Sequence, residues 1–70
     1  MTNLAPGFVL DNGAVVIDYK DLREDEGVVL AVWEGRAAPF VTWIVFHGDT
    51  VYGHYHDDIT DALAEFKTRR

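Results

Sequence analysis

Apolar and polar positions alternate in short blocks along most of this chain, and the period lengthens only near its C-terminal end. The runs "FVL" and "AVVIDY" flank Asp11-Asn12-Gly13. Asn and Gly tolerate positive φ, so this pattern predicts a hairpin with strands at about 7–10 and 14–20. "DLREDEG", residues 21–27, is polar and acidic and reads as a loop. It does not have the pattern of a calcium loop, because Arg23 and Val32 stand where oxygen ligands are required. "VVLAVWE", residues 28–34, is a continuous β-branched and aromatic run and predicts a well-buried strand. "GRAAP" then turns the chain, and "FVTWIVFH" (40–47) forms the next strand, with Pro39 at its margin. Gly48-Asp49 suits a type II′ turn into "TVYGHYH".

From Asp58 the period becomes helical. Ile59, Ala62, Leu63 and Phe66 fall on one stripe. Asp57 or Asp58 is placed to cap the free amides, Asp61 adds negative charge to the first turn, and Lys67, Arg69 and Arg70 lie at the end favoured by cations. The expected architecture is α+β: an antiparallel β-meander of about five strands with one C-terminal helix packed on one face. Residues 1–70 are read as a single small domain.

The turn at Gly48-Asp49 fixes which side chains share a face. It pairs His47 with Thr50, Val45 with Tyr52, Trp43 with His54 and Val41 with His56. The opposite face then carries Thr42, Ile44, Phe46, Val51, Gly53 and Tyr55, with Gly53 suggesting a close approach of the helix. One helix covers one face, which leaves Val41, Trp43, Val45 and Tyr52, with Trp33 nearby, as an exposed apolar patch. Such a patch marks an interaction site, and Trp and Tyr are favoured in interface hot spots. A homodimer formed sheet against sheet is the simplest way to cover it.

Composition narrows the chemistry. Cysteine is absent, which excludes disulfides and thiolate zinc sites, and with no serine either there is no Ser or Cys nucleophile. Thr50 beside His47 is the nearest approach to a nucleophile–base pair, and no glycine-rich phosphate loop is present. His54 and His56, spaced i, i+2, are weak zinc-ligand candidates that lack an evident third ligand. Their structural alternative puts His54 on Trp43 and His56 at the rim. Neither catalysis nor a cofactor is expected.

Twelve acidic against six basic residues give a net charge of −6, and residues 1–66 alone carry −9. That balance repels nucleic-acid backbones, so direct DNA or RNA binding is not expected. It suits a basic partner, including a nucleic-acid-binding protein whose ligand the chain imitates. No apolar run is long enough to span a bilayer, and "MTNLAPGFVL" lacks the features of a signal peptide, so a soluble, cytoplasmic protein is expected.

"PFVTW" followed by "GDTVYGHYHDDITDALAEF" resembles small uncharacterised proteins of actinobacteria and their phages. The resemblance covers about residues 12–66, and "GHY" followed by the helix is its most specific part. It implies a short accessory protein, of a kind that acts by binding a host protein, and assigns no functional residue. The expectation is therefore a non-enzymatic interaction module, homodimeric, with its aromatics and acidic loop engaging a protein partner. A metal-binding domain using His54 and His56, or an acidic nucleic-acid mimic, is the alternative.

Overall fold

A computed structural model of the chain describes residues 5–69. It has four strands and one helix: β1 (Val15–Arg23), β2 (Glu26–Val32), β3 (Phe40–Phe46), β4 (Asp49–His56) and α1 (Ile59–Thr68). The strands form one antiparallel sheet in the order β1-β2-β3-β4. The α+β meander with a C-terminal helix is therefore as expected, with four strands in place of about five.

The segment expected as a strand at 7–10 makes only an isolated bridge, between Val9 and Val15. Asn12 Oδ1 accepts the Ala14 amide at 3.0 Å, and Gly13 at φ 93° closes the turn. Gly7 at φ 91° then bends the chain out of extended conformation, so the pairing cannot propagate.

Residues 21–27, expected as a loop, are mostly strand. β1 runs to Arg23, Glu24 and Asp25 make the turn, and β2 starts at Glu26. Asp25 adopts φ 60°, a region its short side chain tolerates, and an Arg23–Glu26 ion pair at 2.6 Å closes the hairpin. Charge alone misleads here, because side chains on an outer strand can reach water without leaving the ladder.

The register of the β3–β4 hairpin also departs from expectation. The turn residues are His47 and Gly48, both at positive φ (50° and 85°), so Phe46 pairs with Asp49. This is the type I′ geometry, whose twist matches that of the strands it joins. Moving the turn by one residue slides β4 by two positions against β3, so the same side chains still share a face near the turn. The faces change at a bulge between Thr42 and Ile44, where Tyr52 and Gly53 together oppose Trp43 and shift the rest of β4 by one residue. Beyond it, Thr42 pairs with His54, Val41 with Tyr55 and Phe40 with His56.

Each sheet face carries its own core. On one, Ala62 and Phe66 of the helix pack on Val28, Leu30 and Ile44. On the other, Val16, Val29, Ala31, Val41, Trp43 and Val45 are buried with Leu10, Tyr19 and Trp33 packed against them. No second helix is needed there. The N-terminal segment is tied down by Gly7 donating to the Val16 carbonyl (2.7 Å) and Val16 donating to Phe8 (2.8 Å). Tyr19 can lie across β2 because Gly27 has no Cβ to meet its hydroxyl. Burial, with the adjacent Asp21 carboxylate accepting its hydrogen bond, raises the Tyr19 pKa to about 12.

Gly53 has a different purpose from the one expected. A Cβ there would lie 2.7 Å from the Trp43 indole nitrogen, so the glycine makes room for Trp43 and not for the helix. The indole is also held by Trp33, at 5.7 Å between centroids, and by Tyr55 edge-on at 6.4 Å. It has little freedom to retreat. Gly53→Ala is expected to destabilise the fold by about 1–3 kcal/mol, the usual cost of overpacking. A urea midpoint equal to that of wild type would contradict this account.

The helix starts where expected. Asp58 is the cap, accepting the Thr60 amide at 2.7 Å. Its buried stripe is rotated, however: Ala62, Glu65, Phe66 and Arg69 face the sheet, while Ile59 and Leu63 remain partly exposed. Two polar residues thus lie over the sheet, and their partners explain why.

Candidate functional site

Thr42, His54 and Glu65 meet where the helix crosses β3 and β4. Pairing of Thr42 with His54 puts both on the helix side, and His56 follows two residues later. Glu65 projects down from the helix into this group. Its Oε1 accepts from Thr42 Oγ1 at 2.8 Å and from His56 Nε2 at 2.9 Å, while its Oε2 accepts from His54 Nδ1 at 2.7 Å. Partial burial pushes the carboxyl pKa up, but hydrogen bonds from His56, His54 and Thr42, with attraction to His54, outweigh it. The result is a value of about 2 against an ordinary 4.5.

One turn later Arg69 continues the network. Its Nη1 donates to the Thr42 carbonyl at 2.8 Å and to Thr42 Oγ1 at 2.9 Å; its Nη2 donates to the Tyr52 carbonyl. His54 Nε2 lies 3.5 Å from the same guanidinium, consistent with the tautomer that donates from Nδ1 to Glu65 and leaves Nε2 as an acceptor. Burial lowers the Arg69 pKa and the Glu65 charge raises it, but a guanidinium stays protonated.

This arrangement locks structure in place. An imidazole oriented by a carboxylate is half of a nucleophile–base system, but His54 Nε2 points at a cation and not at a hydroxyl. Thr42 is fully buried and already donates to Glu65. His54 and His56 converge on one carboxylate instead of on a shared open position. Among the described residues, no group of three or more His, Cys, Asp or Glu is arranged to hold a metal ion.

At the bulge, Tyr52 adopts φ 54°, a left-handed conformation that costs a non-glycine residue about 1–2 kcal/mol. The Arg69 guanidinium on its carbonyl helps to hold it there. The conformation turns the phenol outward, leaving Tyr52 77% exposed. Beside it, Phe46 is 48% exposed, because the helix ends over the Thr42 row and does not reach the turn end of the sheet. Across that end the helix-side rows are Arg23–Glu26–Phe46–Asp49 and Lys20–Val28–Ile44–Val51. Together Glu26, Ile44, Phe46, Val51 and Tyr52 line an open hollow of about 510 Å³.

Comparison with protein-family models, with curated proteins and with solved structures gives no match. The site must be read from its own geometry.

Of the residues expected at an interaction surface, the structure leaves only Tyr52 prominent. Trp43 is 5% exposed, and Val41 and Val45 are buried beside it. Trp33 is partly buried against the same core, with the Arg36 guanidinium 3.5 Å above its ring. Leu10, Tyr19 and Trp33 cover the face that was expected to be open, and the bulge at Tyr52-Gly53 carries His54 off it. His54 lies on the helix face and not on Trp43. Phe46, Glu65 and Arg69, which belong to the candidate site, are not singled out by the sequence pattern. The i, i+4 spacing of Glu65 and Arg69 signals a shared helix face, but what that face meets depends on the β4 register.

Proposed function

We propose that this chain is a non-enzymatic interaction module that binds another protein through the turn end of its helix-side sheet face, centred on Phe46 and Tyr52. One observation carries the reading. A large aromatic residue is kept in a strained left-handed conformation, clamped by Arg69, with its ring in solvent beside a second exposed aromatic. Strain of this kind persists where the surroundings impose it, and it clusters at functional positions. Exposed Tyr next to an apolar hollow is also the composition of an interface hot spot. The resemblance to accessory proteins of actinobacteria and their phages fits a small cytoplasmic protein that acts by binding, and no helix among the described residues is long and apolar enough to cross a membrane.

The test compares immobilised wild type with Phe46→Asp and Tyr52→Asp, both at surface positions. Asp57→Asn serves as an exposed control, and light scattering gives the solution mass of each. The reading expects specific partners to be retained by wild type and the control but lost by both surface variants, with the fold unchanged by circular dichroism. Retention of the same partners by all four proteins overturns it. A wild-type dimer that both variants dissolve would instead assign this face to self-association.

A further inference from the structure

We infer that the partner segment is basic and amphipathic, seating an apolar side chain against Phe46, Val51 and Tyr52 with lysine or arginine on either side. This rests on the interaction reading above and assigns the partner's chemistry. The strand register supplies the argument. Phe46 is paired with Glu26 on one side and Asp49 on the other, so carboxylates flank the exposed ring directly across the sheet.

Acidic side chains outnumber bases around this row, although Lys20 stands in the next one. Asp21, Glu24 and Asp25 line an adjoining hollow, with Arg23 as its only base. Arg23 is already engaged by Glu26 at 2.6 Å. On the opposite side of the same end, Asp11 and Asp49 border a hollow that also contains Phe8 and Leu10. The two turns bearing these acids are joined, since the His47 amide donates to the Asp25 carbonyl at 2.9 Å. The end therefore presents apolar floors with carboxylate rims in a fixed arrangement. Lysine and arginine match it, because their aliphatic stems cover apolar surface while their heads reach the rim.

Other occupants match less well. Nucleic acid and acidic segments meet a field of their own sign. A second copy pairing this face on itself would bring two Asp49 carboxylates and two acidic turns at 24–25 together, at a cost in like-charge repulsion.

The probes are a synthetic amphipathic lysine–leucine peptide, its glutamate–leucine counterpart and oligolysine, titrated into the full chain and followed by amide resonances. The lysine–leucine peptide is expected to shift Glu26, Phe46, Asp49, Val51 and Tyr52, with affinity that falls as salt rises. Phe46→Ala is expected to weaken it by about tenfold or more, as is the double variant Glu26→Gln/Asp49→Asn. Equal binding of the glutamate–leucine peptide overturns the inference. So does oligolysine binding as tightly as lysine–leucine, perturbation centred on Ile59 and Leu63, or no binding. If partner capture still depends on Phe46 and Tyr52 while the lysine–leucine peptide fails, the basic partner is wrong and the interaction reading survives.

Discussion

Trp43→Ala is expected to unfold the domain or bring it close to unfolding, whereas Tyr52→Gly, its neighbour across the bulge, should stabilise it. Removing a buried tryptophan costs about 3–5 kcal/mol. That is comparable to the whole stability of many small domains. Trp43 also separates Trp33 from Tyr55, so its loss leaves the second core without its centre. Glycine at position 52 relieves the left-handed strain and removes a ring that is 77% exposed, for a gain of about 1 kcal/mol. Urea denaturation of the two variants reads both signs. A folded, wild-type-like Trp43→Ala would show that the face opposite the helix is no core at all.

Glu65→Ala carries the second large effect, about 2 kcal/mol at neutral pH, the scale of hydrogen bonds to a charged group. It deprives buried Thr42 and both histidines of a common acceptor. The pH dependence has a definite sign. The folded-state pKa of about 2 lies below the ordinary 4.5, so the folded state favours the ionised carboxylate. Its contribution is complete above about pH 4.5 and is lost as pH falls towards 2. Melting wild type and Glu65→Gln in parallel isolates this group, because the other carboxylates are common to both. The gap between their melting temperatures should narrow through that window. A constant gap would mean that Glu65 stabilises by packing and not by charge.

The sequence displays some of this directly and hides the rest for identifiable reasons. The helix is legible because Ala62 and Phe66 keep a helical period and Asp58 has the chemistry of a cap. β2 and β3 are legible as unbroken apolar runs with both faces buried. Neither the turn, His47-Gly48 in place of Gly48-Asp49, nor the bulge at Tyr52-Gly53 that decides the faces of β4 is legible. Either choice places Gly48 at positive φ. The deciding residues, His47 and Tyr52, adopt positive φ without being glycine, and side-chain identity gives little sign of that. The one-residue bulge puts His54 and His56 on the helix face beside Glu65, while the expected patch of Val41, Trp43 and Val45 is covered by Leu10, Tyr19 and Trp33. The acidic turn misled for the opposite reason, since its charge suggested more irregular chain than two residues require.

The bulges have a consequence for how the molecule meets its neighbours. The two outermost strands are the places where an open sheet would otherwise recruit another chain through unpaired backbone groups. β1 departs from a regular ladder at Ile17 and again at Leu22, and β4 does so at Tyr52, whose carbonyl is occupied by Arg69. Neither margin offers a long uninterrupted template for strand addition. On the interaction reading proposed above, recognition falls to side chains, and the interruption that exposes Tyr52 also guards the sheet against indiscriminate self-assembly.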